Sequence, residues 1–148
     1  MRTSFFVLLA AAAAAQARPQ PQQSEALAVV IPPACVPVVP EPDLPSQLDR
    51  WFDFQKAYLF DKDVAQAFTF YSADFKSIWR NGAYTRDEYW AQNTTQSWAT
   101  VPSYPTDAYY RNGTGHVSYD LGVNRTGHAG DTFVWEHGCI VSHQQTPN

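Results

Sequence analysis

Near the end of the chain, the run from Asp131 to His143 sets a carboxyl and an imidazole among aromatic and β-branched residues. A buried carboxyl in apolar surroundings tends to keep its proton and can donate a hydrogen bond to a substrate carbonyl. An imidazole beside it can take a proton from the neighbouring carbon. Together they would support enolisation followed by ring closure, double-bond migration or dehydration, with no metal and no cofactor. Two plainer outcomes compete: Asp131 and His143 pair with each other in a filled core, or both face water.

Side chains alternate along a strand, so register decides whether the two groups share a face. A two-residue turn at His137-Gly138 pairs Trp135 with Ile140 and Asp131 with Gln144, which sends His143 to the opposite face. A three-residue turn at Glu136-His137-Gly138 pairs Trp135 with Cys139, Phe133 with Val141 and Asp131 with His143. His-Gly is a poor two-residue turn, because both central positions of a type I′ turn need positive φ. The three-residue turn is therefore favoured. Asp131, Phe133, Trp135, Val141 and His143 then look to one side.

The elements that must carry these groups follow from patterning. Eight of the eleven prolines lie in 18–47, so this stretch reads as an extended leader with one short strand at Ala28 to Ile31. The domain proper spans 46–148. Ser46 is read as an N-cap, and Leu48, Trp51, Phe52, Gln55, Tyr58 and Leu59 recur at helical spacing. Asp63 caps a second helix burying Val64, Ala67, Phe68 and Tyr71. A short strand covers Asp74 to Trp79, with a turn at Asn81-Gly82. Thr85 and Glu88 form a capping box for a third helix bearing Tyr89, Trp90 and Trp98, which Pro102 and Pro105 end. Strands follow at Ala108–Arg111, His116–Val123, Asp131–Trp135 and Ile140–Gln144, with turns at Asn112-Gly113, near Thr126-Gly127 and at His137-Gly138. Helices followed by an antiparallel meander make an α+β domain with the helices on one face.

In 116–123, Val117, Tyr119, Leu121 and Val123 share the parity expected to face the helices. His116 and Asp120 fall on the outer face. His128 reads as a solvated loop residue and His137 as a turn residue. Trp51, Gln55, Tyr58, Trp79, Phe133 and Trp135 are candidates to line a pocket for a small hydrophobic or aromatic molecule, although their spacings suit a core equally well.

Residues 1–17 read as a secretory signal peptide: Arg2, an apolar run from Phe5 to Ala15, then Ala15-Gln16-Ala17 as the cleavage site. The mature protein is expected to be secreted or lumenal. Sequons at Asn93, Asn112 and Asn124 agree, and imply surface placement if the host glycosylates. In such a compartment Cys35 and Cys139 usually bridge; the alternative is that both stay free. The formal net charge of −4, with no basic run, argues against nucleic acid or anionic membrane as partners. No zinc spacing, P-loop, G-x-S-x-G element or dinucleotide fingerprint occurs.

The pattern D-x-F-x-x-x-x-G-x-I-x-x-H at 131–143, with Lys62-Asp63 and Tyr71-Ser72-Ala73-Asp74, is similar to the SnoaL-like branch of the nuclear transport factor 2-like superfamily. The resemblance covers roughly 46–145. It implies a cone of three N-terminal helices packed on a curved antiparallel sheet, often dimeric through the sheet, and it puts His143 on the cavity side. Such folds include polyketide cyclases, ketosteroid isomerase, scytalone dehydratase and binding proteins, so the fold alone does not choose an activity. Against ketosteroid isomerase, Asp131 matches the acid of the penultimate strand, but the tyrosine position falls on Gln55 and the base position near Trp79. Steroid-type isomerisation is therefore not expected. The resemblance leaves a cofactor-free cyclase, isomerase or dehydratase on an aromatic or polyketide-like metabolite, or a non-catalytic binder of the same kind of molecule.

Overall fold

The protein is described by a computed structural model covering residues 30–95 and 98–147. The expected signal peptide and the first part of the leader lie outside the described residues. So do Ala28 and Val29 of the expected leader strand, and Val30 and Ile31 adopt no strand. Among the described residues, no helix is long and apolar enough to cross a membrane.

The first helix, α1 (Leu44–Gln55), begins two residues before the expected cap. Asp43, not Ser46, is the N-cap: its carboxylate accepts from the Ser46 backbone N–H at 3.0 Å, and Pro45 in the first turn has no N–H to satisfy. The helix buries Trp51, Phe54 and Gln55, while Phe52, expected inside, is 60% exposed. Phe54 holds the i+3 position from Trp51 that Phe52 cannot reach. The helix then widens into a π-helical turn, Lys56–Phe60, closed by Asp61 N–H to the Lys56 carbonyl at 2.9 Å. The extra residue per turn lets Ala57, Tyr58 and Leu59 all be buried.

Helix α2 (Val64–Phe68) is capped by Asp63, which accepts from Gln66 N–H at 2.9 Å. It is shorter than expected. Tyr71 opens strand β1 (Tyr71–Trp79) instead of closing the helix. A two-residue loop, Arg80-Asn81, leads into a strand not foreseen, β2 (Gly82–Thr85). The capping box holds: Thr85 N–H donates to Glu88 at 2.8 Å, and Glu88 N–H reaches Thr85 Oγ1 at 3.4 Å. Helix α3 (Arg86–Thr95) stops before Trp98, which sits instead in a separate 3-10 turn, Trp98–Thr100.

Four strands complete the sheet: β3 (Ser103–Arg111), β4 (Thr114–Leu121), β5 (Gly127–Glu136) and β6 (Cys139–Pro147). Their order is β2-β1-β6-β5-β4-β3. All neighbours are antiparallel except β1 and β6, which run parallel, so the expected all-antiparallel sheet is corrected there. The β4–β5 turn occupies Gly122 to Arg125 rather than Thr126-Gly127, and Val123 projects into solvent at its tip. His128 lies on β5, not in a loop, where its Nδ1 is 2.6 Å from Asp120 on the outer face. His116, also outside, bonds Thr132 and Ser118.

The core is mostly aromatic. Trp51 meets Phe54, Phe133, Trp135 and Tyr110 at centroid distances of 6.0 to 6.3 Å. It lies directly on Gly115, where a Cβ would fall within 2.7 Å of three Trp51 ring atoms. Gly115→Ala is expected to destabilise the fold by about 1–3 kcal/mol through overpacking. In urea melts, the smaller ring of an added Trp51→Phe should restore part of that loss.

The β5–β6 connection corrects the favoured register. The turn is the two-residue His137-Gly138, with φ of 50° and 74° and Glu136 opposite Cys139. Long-range contacts hold His137 in this left-handed conformation. Glu41 accepts from His137 N–H at 2.6 Å, and Val38 N–H donates to the His137 carbonyl at 2.9 Å. Arg50 Nε donates to the Gly138 carbonyl at 2.7 Å. Parity is then reversed by a bulge at Val141, between the pairs Trp135–Ile140 and Val134–Ser142. Beyond it Phe133 faces His143 and Asp131 faces Gln145, so neither expected pairing of Asp131 occurs. Ile140 takes the buried place expected for Val141, which is only half-buried. Asp131 and His143 nevertheless share the inner face, as diagonal neighbours.

Candidate active site

The inner face of β4, β5 and β6 projects Tyr119, Asp131 and His143 toward Tyr58 of the π-helical turn. His143 Nε2 lies 2.9 Å from Asp131 Oδ1, and each residue is only 1% exposed. Asp131 Oδ2 accepts from Tyr119 Oη at 2.5 Å and from Tyr58 Oη at 3.1 Å. On its other side, His143 Nδ1 is 2.8 Å from Ser77 Oγ, which accepts from the Trp79 indole at 2.7 Å.

One bond of this network has a forced direction. An indole N–H can only donate, so Ser77 Oγ accepts from Trp79, and its second lone pair or its own proton meets His143 Nδ1. A carboxylate can only accept, so beside ionised Asp131 the His143 Nε2 carries a proton that points at it. The carboxyl receives three donors, which suits the carboxylate. This differs from the expected neutral acid aimed at a substrate: both carboxyl oxygens and both ring nitrogens already have protein partners.

These groups close one end of a partly open pocket of about 290 Å³. Tyr58, Tyr89, Trp79, Trp98 and Tyr119 form its aromatic walls, with Asn93 and Gln145 among its polar lining. Tyr58 and Trp98 stack at 5.0 Å, and the Trp98 indole donates to the Tyr58 carbonyl at 3.0 Å. Lys62 lies over Trp98, its ammonium 3.5 Å from the ring centroid. It has a left-handed φ of 55° and bonds Ser103.

Burial, and then the Asp131 charge, push Tyr58 and Tyr119 well above the usual phenol range, and Tyr89 also rises. These phenols stay protonated donors. Burial lowers Lys62 to about 8, and attraction to Asp131 opposes that shift. Among the described residues, no group of three His, Cys, Asp or Glu side chains is placed to hold a metal ion.

Of the residues singled out from sequence, Asp131, His143, Tyr58 and Trp79 meet at the pocket. Trp51, Phe133 and Trp135 do not line it; they are core beneath it. Gln55 is buried away from the pocket, and its amide nitrogen has no hydrogen-bond partner. Tyr89, Trp98, Ser77 and Tyr119 were missed as site residues, although the parity of 116–123 had already turned Tyr119 inward. Asn112 and Asn124 sit on exposed turns. Asn93 is half-buried in the pocket wall, with its amide donated to the Tyr89 carbonyl at 2.9 Å. Cys35 and Cys139 are bridged.

No family model and no curated protein matches the sequence. Solved structures do match the fold. A nuclear transport factor 2-like protein of unknown function from Burkholderia xenovorans aligns over 69% of this chain and 82% of its own, with a TM-score of 0.57 and 11% identity. A SnoaL-like protein of unknown function from Burkholderia thailandensis covers 71% and 97%, with a TM-score of 0.56 and 9% identity. A proposed polyketide cyclase from Sinorhizobium meliloti covers 70% and 96%, with a TM-score of 0.52 and 13% identity. At such identities the likeness concerns the fold, and activity has to be argued from the site.

Proposed function

From a chain with the nuclear transport factor 2-like fold of SnoaL-like proteins, we propose a cofactor-free isomerase, dehydratase or cyclase acting on an aromatic or polyketide-like small molecule. The observation that carries this reading is the 2.5 Å bond from Tyr119 to Asp131 on the pocket wall. It supports a proton relay. An acidic substrate proton passes to Tyr119 Oη as the Tyr119 proton passes to Asp131 Oδ2, leaving a substrate enolate and a neutral Asp131. The same path returns the proton to a different carbon, to a departing hydroxide, or to the alkoxide formed when the enolate carbon closes a ring on a carbonyl. Tyr119 touches the substrate, while Asp131 accepts the proton behind it. His143 Nε2–H steadies the carboxylate.

The test is deuterium exchange at the α-carbon of 2-tetralone in D2O, followed by NMR. Exchange above the buffer rate is expected, falling about 100-fold in Tyr119→Phe and Asp131→Asn. Unchanged exchange in both variants would reject the relay. A second reading, a non-catalytic binder, is favoured by the full internal pairing of Asp131 and His143. It requires that 2-tetralone bind with no exchange above buffer.

We also propose that the protein is exported. The features of residues 1–17 and the Cys35–Cys139 bridge support this. Mature protein recovered from medium should begin at Arg18, and retention of the first 17 residues on intracellular protein would contradict it.

A further inference from the structure

The committed protons leave one kind of chemistry open at the inner end of the pocket. The Trp79 proton goes to Ser77, and the His143 Nε2 proton to Asp131. Tyr58 and Tyr119 both give theirs to Asp131. What Tyr58 and Tyr119 still offer a ligand is their oxygen lone pairs. A carbonyl, ether or carboxylate placed there would set lone pair against lone pair beside a buried carboxylate. A donor is required.

Charge narrows the donor further. The Asp131 carboxylate is opposed by the Lys62 ammonium, held on the face of Trp98, so a counter-charge already lies against one wall of the pocket and a cationic ligand would meet repulsion from it. The volume sets the size. A dry cavity of about 150 Å³ holds benzene, so about 290 Å³ has room for roughly two fused rings. Trp79, Tyr89 and Trp98 supply the flat walls. Tyr89 makes no hydrogen bond to the carboxylate; its hydroxyl is within hydrogen-bond reach of Tyr58 and Asn93.

We infer that the ligand is a bicyclic aromatic or enolic molecule that presents a neutral hydroxyl, donated to Tyr58 and Tyr119, to the Asp131 end of the pocket. This rests on the reading above that the pocket is the ligand site.

Calorimetric titration of the full protein with 2-naphthol, 2-methoxynaphthalene, 2-naphthoate and 2-naphthylmethylammonium tests the inference without requiring turnover. The naphthol is expected to bind at least about tenfold more tightly than each of the others. Tyr119→Phe keeps the ring and removes the acceptor oxygen; it should shrink the preference for naphthol over its methyl ether to about threefold or less. Equal binding of ether and naphthol, tighter binding of the carboxylate or ammonium, or an unchanged preference in Tyr119→Phe would overturn the inference while leaving the pocket reading intact. No binding by any probe would overturn both.

Discussion

Replacing Asp131 with alanine is expected to destabilise the protein by about 3–5 kcal/mol, the range for removing one partner of a buried hydrogen-bonded charge. The change strands three buried donors at once: Tyr58 Oη, Tyr119 Oη and His143 Nε2. Each stranded donor carries a desolvation cost of about 1–3 kcal/mol. Water entering through the open side of the pocket offsets part of that sum. The loss should appear as a fall in Tm of roughly 10–20 °C for a domain near 100 residues. Asp131→Asn should cost less, because its oxygen still accepts and only one donor meets an amide. If alanine and asparagine melt together within 1–2 °C of the parent, the carboxylate is not the hub that its hydrogen bonds describe.

The second large effect concerns the bridge from Cys35 to Cys139, 104 residues apart. Closing a loop of that length restricts the unfolded chain by up to about 4–5 kcal/mol. Replacing both cysteines with serine should lower stability by about that much, or somewhat less where the unfolded state is compact. The native state should change as well. The bridge anchors the leader that carries Val38 and Glu41 to the His137-Gly138 turn, and Arg50 reaches both Cys35 Sγ and the Gly138 carbonyl. Hydrogen exchange in the variant should therefore quicken first at β5–β6. Uniform acceleration across the sheet would mean that the bridge acts on the unfolded chain alone.

Much of the architecture was readable because it is local. Asp63 and the Thr85/Glu88 box cap helices through side chains a few residues away, and Asn112-Gly113 makes its turn with its own backbone. The alternation in 116–123 correctly turned Val117 and Tyr119 inward. Local rules also misled. Ser46 has a cap's residue type, but the helix starts at Leu44 and the Ser46 amide itself donates to Asp43, and β2 was too short and polar to register as a strand. The pocket was half legible. Trp51 and Phe133 carry the same aromatic signal as Trp79 and Tyr58, and only packing sorts core rings from wall rings.

The pairing of Asp131 with His143 shows the division most clearly. Taken alone, the sequence determined that an acid and an imidazole lie on the last two strands of a sheet that has an aromatic helical layer, because composition and period-two patterning travel with the chain. It did not determine how they come to share a face. The favoured three-residue turn would have achieved it directly. The folded protein instead uses a two-residue turn that alone would separate the groups, then inserts Val141 to bring them back. The turn depends on Glu41, almost a hundred residues away, and a one-residue shift in register inverts every side chain beyond it. A contact between such distant residues leaves no periodic trace along the chain, so only tertiary structure decided where the two groups meet.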